Sequence, residues 1–169
     1  YWEDGAYSTA AEMVMNRKNS NRIVSLATLY AIRDQGSFPV SLYDQAWKNI
    51  LLWDEHTWGA HNSITDPDIP FVTDQWKYKQ HYALRADSLL NAIEDRFSPA
   101  NTKLADRFDV FNTLSWQADD VVYLDADDAS GVIAVTEEDG NPLIFQHLTD
   151  GRIAVRISVP PLSASRIVV

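Results

Sequence analysis

Ser98-Pro99-Ala100-Asn101-Thr102-Lys103-Leu104-Ala105-Asp106-Arg107 separates two kinds of hydrophobic pattern, and the change of period across it sets the fold class. Upstream, Tyr82, Ala86, Leu89, Leu90, Ile93 and Phe97 fall on one side of a helix that starts near Thr73 and ends at Ser98-Pro99. Further back, Tyr43, Ala46, Trp47 and Ile50 make a second apolar stripe, which Ser41 can cap and which fades near Trp53-Asp54-Glu55-His56. Ile23, Leu26, Ala27 and Tyr30 make a third, inside a helix expected over about 9–35. Its start carries a capping box, Thr9-Ala-Ala-Glu12, whose two side chains can each satisfy an orphan backbone N–H.

Downstream of the boundary the period falls to two, or the runs become short and β-branched. They are Phe108–Phe111, Val121–Leu124, Val132–Thr136, Leu143–Phe145, Ile153–Val159 and Arg166–Val169. Between them stand turn formers: Asp-Asp pairs, Asp139-Gly140-Asn141-Pro142 and Asp150-Gly151. The expected fold class is therefore α+β. A three-helix bundle over 1–105 precedes an antiparallel β-sheet or sandwich portion over 106–169, with a strand-like run at the end of the chain making an incomplete sandwich the expectation.

Composition narrows the functions. The chain has 169 residues, 46% of them apolar and 22% charged, enough to build a core. Its net charge of -10 repels phosphate backbones and anionic membrane surfaces, so nucleic acid and membrane are not the expected partners. The charge is uneven, -3 over 1–105 and -7 over 106–169. No run approaches the roughly 20 apolar residues that cross a bilayer. With no Cys, any metal must be held by His, Asp, Glu or carbonyl oxygen.

The densest reactive stretch is Asp54-Glu55-His56-Thr57-Trp58-Gly59-Ala60-His61, with two carboxylates and two imidazoles at a helix end. Those groups suit a metal or an acid/base pair; the same composition also describes a polar last turn whose His meets unpaired carbonyls. The connection Gly59–Val72 that follows is long enough to expect a functional loop. Among the tryptophans, those at helical spacing read as core. Trp58 lies off the helix and reads as a binding residue. His81 and His147 read as structural, and the clusters Asp125/Asp127/Asp128 and Glu137/Glu138/Asp139 as solvated hairpin turns, since neither has the rhythm of a calcium loop. No Gly-rich phosphate loop, G-x-S-x-G or H-E-x-x-H occurs.

Taken in order, Tyr1-Trp-Glu-Asp-Gly-Ala-Tyr-Ser-Thr9 with Arg17, Asp54-Glu-His-Thr-Trp-Gly-Ala60 with Asn62-Ser63, Asp74-Gln-Trp-Lys77, and Asp109-Val-Phe-Asn-Thr-Leu-Ser-Trp116 resemble landmarks of glycoside hydrolase family 38, the α-mannosidase-type enzymes. The resemblance spans nearly the whole chain. In that family a catalytic barrel precedes a helical middle segment and β-sandwich domains. The resemblance therefore implies a fragment, inactive alone, whose partners are a mannoside-like glycan and an upstream catalytic domain of the same polypeptide.

It implies zinc as the cofactor, with His56 as the ligand this segment contributes and Trp58, His61 and Asn62 turned to substrate. The family pattern has Asp after that His, whereas Thr57 stands here, leaving the supporting carboxylate absent or supplied by Asp54 or Glu55. A retaining mechanism needs two carboxyl groups about 5 Å apart, and those the resemblance assigns to the barrel. Two other readings stand beside this one: a non-catalytic carbohydrate-binding or structural module, and a degenerate relative that keeps the fold without hydrolysis.

Overall fold

A computed structural model describes residues 9–33, 36–55, 62–97 and 106–169. The chain is α+β and divides into two compact units, one helical and one of antiparallel strands, each with its own apolar core.

The helical unit contains α1 (Ala10–Arg33), α2 (Val40–Asp54) and α3 (Pro70–Phe97). Ile23, Leu26 and Tyr30 of α1 pack with Ala46 and Ile50 of α2 and with Ala86, Leu89, Leu90 and Ile93 of α3. These are the stripes read from the sequence. One end of the bundle is closed by aromatic rings: Tyr30 meets Phe38 and Phe97 edge-on at 5.5 and 5.2 Å, and its hydroxyl donates to the Ile93 carbonyl at 3.0 Å. Truncating Ile93, fully buried among all three helices, to Ala is expected to cost about 2–5 kcal/mol in urea unfolding.

Two helix starts differ from the expectation. α2 opens at Val40, and the carbonyl of Pro39 receives the Leu42 and Tyr43 N–H groups, while the Ser41 hydroxyl accepts from Gln45. α3 starts at Pro70, not near Thr73. A proline at the first helical position has its φ preset and lacks an N–H that would have had no partner there. The long connection is correspondingly shorter, and over 62–69 it is tied by turns, with Asp66 N–H on the Asn62 carbonyl at 2.9 Å.

The β unit runs β1 (Arg107–Asn112), β2 (Ala118–Leu124), a short α4 (Ala126–Ala129), β3 (Thr136–Glu137), β4 (Phe145–His147), β5 (Ile153–Val159) and β6 (Ser163–Val168). All pairings are antiparallel, in two sheets ordered β1-β6-β3 and β2-β5-β4. Strand β5 matches the expected span and alternates fully: Ile153, Val155, Ile157 and Val159 point inward to meet Leu124, Val135 and Ile167. Both sheets thus feed one core.

The middle of this unit departs from the sequence pattern. Of Val132–Thr136 only Thr136 enters a strand, and Ile133 is 92% exposed. Val135 is still buried, held by a bond from Leu143 N–H to its carbonyl. The expected Leu143–Phe145 strand sits two residues later, beyond Pro142, which has no N–H to give a ladder. Asp125 and its neighbours make the start of α4, not a hairpin, whereas Glu137–Asn141 is the expected turn, with the Asp139 carboxylate accepting from Asn141. Gly151 closes the β4–β5 hairpin at φ 89, where a Cβ would press on Ala126 Cβ at 3.1 Å; this position requires glycine.

Salt links tie neighbouring strands: Arg166 on β6 reaches Asp109 at 2.7 Å and Glu138 at 3.0 Å, and Arg156 reaches Asp119 at 2.9 Å. Arg156 holds the Asp119 carboxyl below its ordinary range. That small stabilisation is present above the unfolded pKa, near 4, and is lost as pH falls through the lowered folded value.

Candidate functional site

The end of the bundle opposite the aromatic closure is polar. It gathers the N-terminal half of α1, the last turn of α2, residues 62–69 and the first half of α3. The buried stripe of α1 shows the change: running back from Tyr30, Leu26 and Ile23, the next inward positions are Asn19 and Asn16. The spacing is continuous while the chemistry turns from hydrocarbon to amide.

Two side chains grip the last turn of α2. From α1, Asn16 Nδ2 donates to the Ile50 carbonyl at 3.3 Å and to Asp54 Oδ1 at 2.9 Å. From α3, Lys79, only 7% exposed, donates to the Leu52 carbonyl at 2.7 Å and the Glu55 carbonyl at 3.0 Å, and lies 3.4 Å from Glu55 Oε2. A lysine with carbonyl oxygens at a helix C-terminus answers both the orphan acceptors and the negative end of the helix dipole. Glu55 then leaves the helix in an extended conformation, at φ -62 and ψ 135. Trp53 packs inward with Ala83, Met15 and Tyr82, so its role is core, as its helical spacing implied.

Of the four residues expected to form the site, His56, Trp58 and His61 lie outside the described residues. Asn62 is described: half-buried, with a left-handed backbone at φ 52, a conformation asparagine tolerates better than most residues, and its carbonyl starts the turn toward α3. Both carboxylates suggested as support for His56 have protein partners, Asp54 in Asn16 and Glu55 in Lys79. Among the described residues no three His, Asp or Glu side chains converge as a metal shell.

Two clefts flank the first half of α3. One, of about 430 Å³, is lined by Leu52, Phe71, Tyr78 and Tyr82 together with Glu55, Asp74, Gln75 and Lys79. Tyr78 is 69% exposed, and Tyr82 donates its hydroxyl to that of Tyr78 at 3.2 Å, which raises the Tyr82 pKa above the ordinary phenol value. The other, of about 360 Å³, lies on the opposite flank and is lined by Thr9, Glu12, Pro67, Thr73, Trp76, Lys77 and Gln80.

Four buried side-chain atoms with no hydrogen-bond partner among the described residues sit at this end of the bundle: Asn16 Oδ1, Asn19 Nδ2, Ser63 Oγ and Trp76 Nε1. Buried polar atoms are nearly always paired, with protein groups or with ordered water.

The sequence marks the stretch 54–62, of which 56–61 lie outside the described residues, and does not mark Asn16, Asn19 or Lys79. The asparagines were detectable by extending the apolar stripe back by four and then three residues; nothing in the sequence marks Lys79, whose burial depends on where α2 ends. No known family model matches the chain, and no curated protein matches it either. Among the described residues no helix is long and apolar enough to cross a membrane.

Proposed function

We propose that the chain contributes one wall and one metal ligand to the active site of a glycoside hydrolase resembling the zinc-dependent retaining α-mannosidases, with catalytic carboxylates and further ligands supplied by an upstream domain of the same polypeptide. In this reading His56 binds zinc, and Trp58, His61 and Asn62 face a mannoside-like glycan. The observation that carries it is the doubly gripped last turn of α2: Asn16 and Lys79 fix the backbone up to Glu55, immediately before His56 in the chain. A ligand is useful only if its direction is set in advance, and partners behind the ligand commonly change metal affinity or activity by about 10–100-fold. Zinc, when bound, would polarise sugar hydroxyls; the residues of this chain would orient it and shape the pocket.

The test is His56→Ala in the full-length polypeptide. Zinc stoichiometry is expected to fall and mannosidase activity to drop by at least roughly 100-fold. Unchanged zinc content with unchanged activity would refute the assignment. The 169-residue chain alone is expected to bind zinc weakly at most, since one imidazole and its neighbours are an incomplete shell.

A second reading, a carbohydrate-binding module without metal chemistry, is favoured by the cleft of Phe71, Tyr78 and Tyr82. The exposed rings of Phe71 and Tyr78, with amide and carboxylate groups lining the same cleft, suit the apolar faces and hydroxyls of sugars. Full activity loss on His56→Ala excludes it as the sole function.

A further inference from the structure

Residues 132–135 have the β-branched composition of a strand and no part in the reading above. Both ends of the segment are anchored. Val132 packs against the β core and its carbonyl lies 3.0 Å from His147 Nε2, while Val135 is buried and its carbonyl accepts from Leu143 N–H at 2.8 Å. Between them Ile133 is 92% exposed, and the backbone N–H and C=O groups of Ile133 and Ala134 have no hydrogen-bond partner among the described residues. This open backbone runs directly into a formed ladder, where Thr136 of β3 lies opposite Val168 of β6. Unpaired backbone that continues a sheet edge is a template for an added strand.

Val132, Ile133 and Ala134 line a cleft of about 1190 Å³ together with Asp106 and with Asp125, Asp127 and Asp128 at α4. That volume is above the roughly 300–1,000 Å³ of small-molecule sites, and it suits a length of polypeptide. No lysine or arginine lines the cleft among the described residues. The Arg152 guanidinium acts on Asp125, whereas Asp106, Asp127 and Asp128 have no basic partner among the described residues. These carboxylates do not converge as a metal shell, so they suit separate cations carried along one chain and not a single ion. A second copy of the protein would bring the same carboxylates and be repelled.

We infer that residues 132–135 and the acidic cleft beside them dock a strand of a basic polypeptide partner. The strand adds to the edge by main-chain hydrogen bonds with Ile133 and Ala134 and sets its Lys or Arg side chains against Asp106, Asp127 and Asp128. The site lies in the β unit and is independent of the zinc ligand proposed above.

The probe is the hexapeptide acetyl-Lys-Val-Lys-Val-Lys-Val-amide, titrated into the 169-residue chain and followed in ¹H–¹⁵N amide spectra. The Ile133 and Ala134 signals are expected to move saturably and their hydrogen exchange to slow, while the same peptide with Glu in place of Lys leaves them unmoved. Asp127→Asn combined with Asp128→Asn is expected to weaken binding roughly tenfold, the equivalent of two exposed ion pairs. Successive N–H groups of a strand point to opposite sides. Of two N-methylated peptides, one methylated at the valines and one at the lysines, the one whose donors meet the edge is therefore expected to lose binding. Unmoved Ile133 and Ala134 signals, equal binding of the Glu peptide, or no effect of the paired Asn substitutions overturns the inference. Parent-like binding by both N-methylated peptides also overturns it, since charge alone would then explain the contact. So does slow exchange of the Ile133 and Ala134 amides in the full-length polypeptide without peptide, which would mean that the edge is already covered.

Discussion

Asn112→Asp is expected to lower the unfolding free energy of the β unit by about 3–5 kcal/mol at pH 7, enough to leave it largely unfolded at moderate temperature. Asn112 closes strand β1 and is 4% exposed. Its Nδ2 lies 2.7 Å from the Trp116 carbonyl and 3.0 Å from those of Val159 and Pro160, and its Oδ1 accepts from Leu114 N–H at 2.9 Å. One amide therefore pins the turn after β1 to the turn between β5 and β6. A carboxylate in its place would aim negative oxygen at three carbonyl oxygens with no proton to offer. Asn112→Ala deletes the same bonds without adding charge and should cost about 2 kcal/mol.

The pH dependence has a definite sign. The introduced carboxyl is stabilised as the neutral acid in the fold, so its folded pKa lies above the unfolded value of about 4. Its penalty is therefore small below that pH and grows as pH rises through the folded value. Urea denaturation of the wild type and both variants at pH 4 and pH 7 measures this. A deficit for Asp no larger than for Ala, or one that does not shrink in acid, shows that the amide protons are not what holds the two turns together.

That amide lies within Val110-Phe-Asn-Thr-Leu-Ser-Trp116, where its four bonds give the asparagine a structural role. How much else was legible follows the range of the interactions. The helical stripes and β5 are set by burial at a fixed period, so Ile23, Leu26 and Tyr30, or Ile153, Val155, Ile157 and Val159, identify themselves. The segment Val132–Thr136 has the composition of a strand, yet no neighbour pairs with most of it, and pairing is a property of the partner. Asn16 and Asn19 continue an apolar stripe with polar atoms, which periodicity counted by hydrophobicity passes over. Lys79 is invisible in one dimension: a lysine on the rim of a helix reads as solvated until the end of α2 comes to rest against its nitrogen.

Lys79→Ala is the second large effect, an expected loss of about 3–4 kcal/mol from the helical unit, because it takes a donor from each of the Leu52 and Glu55 carbonyls and removes the charge beside Glu55. Lys79→Met keeps the buried stem and isolates the ammonium contribution, expected at about 2 kcal/mol. The distinctive readout is local: amide hydrogen exchange over Trp53–Glu55 should accelerate by more than the global loss of stability explains, since the gripped turn frays first. Asn16→Ala acts on the same turn from the other side. If the two side chains hold one mechanical unit, the turn already released by one substitution has less to lose from the other, and the double variant should fall short of the summed single losses by about 0.5 kcal/mol or more. Strict additivity, with exchange over Trp53–Glu55 unchanged in Lys79→Met, means that lysine and asparagine stabilise the bundle independently and do not jointly fix the last turn of α2.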